Sequence, residues 1–142
     1  MKTWLVDTGA FVAYFDSDDA HHERMAAAFE AGRPGIRTTM PVITEAMHML
    51  SHTPDGPAAL VEFLETTGAG IAASSSWQDL RKATALMRKY HDIPMDFADA
   101  SLVCLAEELK LRDILTTDER GFRVFRINGR QSFHLVLDDF AA

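Results

Sequence analysis

The sequence predicts an α/β fold with a mostly parallel central sheet, and three observations predict it. Short apolar runs such as Trp4-Leu5-Val6 and Ile114-Leu115 alternate along the chain with longer amphipathic stretches. At 142 residues the chain is long enough to bury a sizeable core. Hydrophobic residues at 47% and charged residues at 25% make an ordinary globular mixture, without repeats or low-complexity segments. The expectation is therefore one domain spanning residues 1–142.

Taken in order, residues 2–6 read as a first strand closed by Asp7, followed by a helix over 10–15. A second helix is expected over 18–31, with Asp18 as its cap and Gly32 and Pro34 ending it. Residues 36–39 form a short strand, and Pro41 opens a helix to about Ser51. The turn Thr53-Pro54-Asp55-Gly56-Pro57 leads into a helix over 58–66, and 70–73 make another strand. Residues 77–90 form a helix with Leu80, Thr84 and Met87 on one side and basic residues largely on the other. The next helix covers 96–109, and 113–116 form a strand that ends near Asp118. The runs 122–127 and 132–137 read as a terminal strand pair joined through Asn128-Gly129.

Composition narrows the function. No run approaches the ~20 apolar residues of a membrane-spanning helix, and residues 1–15 carry only Lys2 as basic flank and contain Asp7, unlike a secretory leader. The lone Cys104 can form neither an intrachain disulfide nor a CxxC knuckle, and the expected setting is a reducing cytoplasm. A net charge of −7 argues against a broad basic surface for nucleic acid, unless the acids gather where a cation neutralises them. Neither a GxGxxG fingerprint nor a Walker loop is present.

Most of the 21 acids fit turns or solvated helix faces, but a few do not. Asp7 and Asp118 each follow an apolar strand, the edge of a parallel sheet where ligands gather. A helix cap is the plain alternative for either alone. Glu45 has Val42 and Met49 as helical neighbours, a partly apolar setting for a charge. Asp96 and Asp99 open a helix on one face; Asp96 suits the N-cap, which leaves Asp99 to be explained. Converging carboxylates raise one another's pKa, and a divalent cation relieves the conflict. An all-oxygen set favours Mg²⁺ or Mn²⁺ over zinc, and such an ion can activate water beside a phosphodiester. His48 and His52 are spaced i, i+4, but no third ligand accompanies them, so solvated or interface histidines are expected.

These residues form four motifs: Leu5-Val6-Asp7-Thr8-Gly9-Ala10, Thr44-Glu45, the run Pro94-Met95-Asp96-Phe97-Ala98-Asp99-Ala100-Ser101-Leu102-Val103, and Leu115-Thr116-Thr117-Asp118. In this order and spacing they resemble the PIN domain, and the likeness to VapC-like ribonuclease toxins covers nearly the whole chain. The resemblance implies a PIN-like three-layer α/β/α domain with catalytic acids at Asp7, Glu45, Asp99 and Asp118. Asp96, Thr8 and Thr116 are auxiliaries, and Asp7, Asp99 and Asp118 are the expected metal set. It further implies cleavage of single-stranded or structured RNA, dependence on Mg²⁺ or Mn²⁺, a homodimer and a cognate antitoxin. Of the late arginines Arg112, Arg120, Arg123, Arg126 and Arg130, Arg120 and Arg123 are the chosen RNA contacts.

The rival readings are a PIN nuclease outside any toxin pair and a non-catalytic PIN-like module that binds RNA or protein. An aspartic peptidase is a third, because Asp7-Thr8-Gly9-Ala10 resembles that class's signature; its mostly β fold conflicts with the helical content expected here. An aspartyl-nucleophile phosphatase would want a second Asp at position 9, which is Gly.

Overall fold

The computed structural model describes residues 2–140. In chain order its strands are β1 (Thr3–Val6), β2 (Gly35–Thr39), β3 (Gly70–Ala72), β4 (Asp113–Leu115), β5 (Arg126–Ile127), β6 (Gln131–Ser132) and β7 (His134–Leu135). The helices are α1 (Thr8–Phe15), α2 (His22–Gly32), α3 (Met40–Met49), α4 (Gly56–Thr67), α5 (Trp77–Lys89), α6 (Phe97–Leu109) and the single turn α7 (Glu119–Phe122). Five strands make one parallel sheet in the order β3-β2-β1-β4-β7, sandwiched between helical layers. The expected parallel α/β/α architecture is the observed one.

Chain order explains where a site can form. From β1 the sheet grows through β2 to β3 on one side and through β4 to β7 on the other. The connections therefore diverge beyond the carboxyl ends of β1 and β4, opening a crevice there. Both strands are apolar and buried on both faces, with Leu5, Val6, Ile114 and Leu115 at 0% exposure. A polar residue at their ends is thus held by a rigid frame.

Local chemistry sets most element limits. Thr39 caps α3, accepting from the Val42 amide, and Pro41 sits in its first turn. Gly68, at φ +67°, ends α4. Ser76 caps α5, which buries only Ala83 fully and lies as a surface helix on α6.

Two stretches depart from expectation. The second helix starts at His22 rather than Asp18, because the side chains of Asp16 and Asp19 accept from the amides of Asp18 and His21 and hold turns there. Its last residue, Gly32, packs under Trp4, where any Cβ would collide with the indole, and Arg33 takes the left-handed cap at φ 41°. The terminal strand pair shrinks to Arg126–Ile127 against Gln131–Ser132 around the Asn128-Gly129 turn. Phe122 lies on α7 because the Asp118 carboxylate captures the Gly121 amide and starts a helical turn. His134–Leu135 leaves the hairpin and pairs with the open edge of β4, burying Leu135. Phe122 packs edge-on against Phe125 and Phe133 beneath this turn, with ring centroids 5.1 and 5.3 Å away.

Candidate active site

Asp7 is the first residue beyond β1 and the N-cap of α1. Its Oδ1 accepts from the Thr8 amide at 2.8 Å, and its Oδ2 accepts from the Thr116 hydroxyl at 2.8 Å. The same Thr116 oxygen accepts from the Asp118 amide at 2.9 Å. Thr116 thus ties together the ends of β1 and β4. Asp118 in turn caps α7, so both strand-end acids have a structural duty and still face one cavity.

That cavity, of about 430 Å³, is lined by Asp7, Thr8, Glu45, Asp96, Asp99, Asp118 and Arg120, together with neighbouring uncharged residues. The structure thus brings four separate elements to one place: the starts of α1, α6 and α7, and the middle of α3. Thr116 stands behind Asp7 rather than on the wall. Arg123 lies elsewhere, its guanidinium 3.0 Å from Asp138 and 3.8 Å from Glu119. Arg126 turns back on the carbonyls of Arg123, Val124 and Phe125, and Arg112 donates to the Ser132 carbonyl.

Asp96 and Asp99 form a reciprocal capping box at the start of α6. The Asp99 amide donates to Asp96 at 2.8 Å, and the Asp96 amide donates to Asp99 at 3.2 Å. This gives Asp99 a local structural reason in addition to its place on the cavity wall.

The electrostatics are those of crowded, poorly hydrated anions. Burial pushes the Asp7 carboxyl up to about 6, with the Thr116 and Thr8 hydrogen bonds opposing and the charges of Asp118 and Asp96 adding to the rise. Asp99 is pushed up to about 8, first by burial and then by the charges of Asp7 and Asp96. Burial and the Asp96 charge also raise Glu45. Among the described residues Arg120 is the one cation on the wall.

The residues fit a divalent cation by two tests. The donor set is all oxygen, suited to Mg²⁺ or Mn²⁺. Thr8 Oγ1 is buried on the same wall without a well-formed hydrogen bond, and the group near enough to feel it is the Glu45 carboxylate, so its oxygen is left free to meet a further partner. Among the described residues, no three acidic, histidine or cysteine side chains stand close enough together to hold a metal ion as they are placed. An open, partly carboxylate-lined cavity suits an ion that keeps several of its waters.

Sequence reasoning missed some of the supports. Thr39 Oγ1 and Ser101 Oγ lie 2.7 Å apart, both buried, and Ser101 also donates to the Ala98 carbonyl. This contact fastens α3, which carries Glu45, to α6, which carries Asp99. Gly9 is a second support, since a Cβ there would overlap the Thr117 hydroxyl and oblige that side chain to turn away. A serine inside the otherwise apolar run Ala100 to Ala106 was the available signal for the first; the second has none in a single sequence.

The PIN-domain family matches residues 4–127, and the chain belongs to that family. Within it, the chain is 27% identical over 133 residues to Ribonuclease VapC26 of Mycobacterium tuberculosis (strain ATCC 25618 / H37Rv), covering 93% of this chain and 98% of that one. It is also similar to the crystal structure of Mycobacterium tuberculosis VapC20, described as a sarcin-ricin loop cleaving toxin. The TM-score is 0.75 at 14% identity, over 87% of this chain and 96% of that one, a likeness of fold. No helix of the described residues is long and apolar enough to cross a membrane.

Proposed function

We propose that this PIN-domain chain is a metal-dependent endoribonuclease that works as the toxin of a toxin–antitoxin pair. The single observation that carries the catalytic part is the one cavity lined by Asp7, Glu45, Asp99 and Asp118, with Arg120 as the cation on its wall. Its resemblance to the VapC ribonucleases supports the toxin role, a cytoplasmic setting, a cognate antitoxin and a homodimer.

Asp7, Asp99 and Asp118 would hold Mg²⁺ or Mn²⁺, with the Thr8 hydroxyl close by. When bound, the cation offsets the carboxylate repulsion and lowers the pKa of a water. The protein's own groups do the rest. Thr116 holds Asp7 by its Oδ2, so the carboxylate is oriented before substrate arrives. Glu45 would complete the cation's shell or orient the attacking water, which adds to phosphorus in line with the departing ester oxygen, and that oxygen takes its proton from solvent. Arg120 donates to the non-bridging phosphate oxygens. The capping box keeps Asp96 and Asp99 fixed while RNA enters.

The experiment is cleavage of a mixed pool of transfer and ribosomal RNA with Mg²⁺ or Mn²⁺, mapping the new ends, with Asp7→Asn as control. Defined ends that need the cation and vanish in the control are the expected result. Cation-independent cutting, or cutting by the control, overturns the assignment.

A further inference from the structure

A second cavity shares a wall with the acidic one. It measures about 620 Å³, and Glu45 and Asp96 line both. Its remaining wall is largely carbon, from Met40, Pro41, Ala73 and Phe97, with Met40 left 45% exposed. A concavity with a largely apolar wall and a few polar groups beside a functional cleft marks a binding site.

We propose that this cavity seats the nucleobase next to the scissile phosphate of single-stranded RNA, stacked on Phe97. The inference deepens the nuclease reading and rests on it. A nucleotide divides chemically as the two cavities do, into a charged phosphate and a flat, uncharged, weakly polar ring. The acidic cavity repels the phosphate until a cation intervenes, while the neighbouring cavity offers an aromatic ring and aliphatic wall, the usual platform for unpaired bases. Thr44 and His48 stand on its rim, an exposed hydroxyl and imidazole able to meet a base edge.

Two features favour a base over a protein side chain or a second copy of this chain. An apolar protein cover would desolvate Glu45 and Asp96 without compensating their charge, which is costly. A nucleotide brings its base to the apolar wall, while its phosphate and the associated cation serve those same acids. Phe97 also follows Asp96 directly and begins α6, so the capping box that fixes Asp96 and Asp99 also fixes the backbone from which the Phe97 ring projects.

The test uses short single-stranded RNAs carrying 2-aminopurine, or an abasic nucleotide, at one position each, beside the mapped cleavage point. Fluorescence is read on Asp118→Asn protein so that the RNA stays intact; cleavage is read on protein with native acids. One position flanking the scissile phosphate should be strongly quenched, and an abasic nucleotide there should raise KM about tenfold with unmutated protein, an outcome independent of any variant's folding. Phe97→Leu should lose the quench and raise KM by the same factor, and Phe97→Tyr should restore both. If no position is quenched and the abasic RNA is cut with the ordinary KM, the base subsite falls and the nuclease stands. If Phe97→Leu splits a dimer and leaves the quench intact, the cavity is a subunit seam and the proposal is overturned. If no RNA is bound or cut at all, both readings fall together.

Discussion

Two clusters of acids in this molecule are built on opposite plans. Near the C-terminus, Asp113, Asp138 and Asp139 each meet a base: His134 lies 2.9 Å from Asp113 and 3.2 Å from Asp139, and Arg123 lies 3.0 Å from Asp138. Close by, Arg24 donates to the carbonyls of Leu137 and Phe140. Beyond β1 and β4, by contrast, Asp7, Glu45, Asp96, Asp99 and Asp118 crowd one cavity with Arg120 alone opposite them. The paired cluster spends its charge on holding the last strand and the turn after it. The unpaired cluster also caps helices, but among the described residues its carboxylates meet no base besides Arg120, and a divalent cation would relieve the repulsion among them. Number of acids does not distinguish structure from function here, but the sign of their neighbours does.

The comparison breaks most sharply at Asp7. Asp7→Asn should lower RNA cleavage by several orders of magnitude, because the most buried carboxylate of the proposed cation-binding set is gone. The metal-free variant should nevertheless be at least as stable as the unmutated protein near pH 8, since a buried anion has been removed. Kinetics together with urea unfolding check both halves; a variant that cleaves normally, or that unfolds before the parent, breaks the contrast between the clusters.

The next effect is on the pH dependence of the metal-free protein. Asp7 and Asp99 have folded-state values of about 6 and about 8 against 3.8 in the unfolded chain, so the folded state binds more protons between those values. Their contribution to stability is fully present below about pH 4 and is lost as pH rises through 6 and then 8. The difference in unfolding free energy between unmutated protein and Asp7→Asn should therefore widen with pH in chelator. Mg²⁺ at a hundred times its Kd should return about 2.7 kcal/mol to the unmutated protein. A flat difference across pH 4–8 would show that the cavity acids are not strained.

How much of this the chain announced follows from what each feature depends on. Asp7 and Asp118 stood out because each is the polar residue that stops an apolar strand, a local pattern. Asp96 was legible as a cap for the same reason. The reciprocal bond from Asp99 was not drawn, although the i, i+3 spacing permits it. The extra residues given to α2 failed because side-chain turns at Asp16 and Asp19 compete with helix, a contest decided by a few hydrogen bonds. The terminal strands failed because β7 pairs with β4, an edge that does not exist until the sheet has formed. The Thr39–Ser101 contact joins residues 62 apart and left only the trace of one hydroxyl among apolar neighbours. Local patterning was readable, and tertiary competition was not.

A smaller effect tests the supports beneath the unpaired cluster. Ser101→Ala should cost about 1–2 kcal/mol, since it leaves the buried Thr39 hydroxyl without its partner. Cleavage should fall roughly tenfold by loosening α3 against α6, on the scale seen when outer supports of a metal site are removed. Thr116→Val should do more to cleavage than to stability, because it frees Asp7 Oδ2 and the Asp118 amide together. Equal losses in both readouts for Thr116→Val would mean that it serves the fold alone.

The smallest effect belongs to the paired cluster. The Asp113 hydrogen bond, followed by the Asp139 charge, raises the pKa of His134 over the counteracting effect of burial. A raised histidine stabilises the fold fully below its unfolded value near 6.5, and that contribution disappears as pH rises through the folded value. The ring is 39% exposed, so solvent screening keeps the gain below about 1 kcal/mol. His134→Asn should therefore lower stability slightly at pH 6, leave it unchanged near pH 9, and leave the rate of RNA cleavage untouched at both. Loss of cleavage in this variant would join the two clusters into one working unit, because the paired charges would then be transmitting something to the cavity through β4, which carries Asp113 at one end and leads to Asp118 at the other.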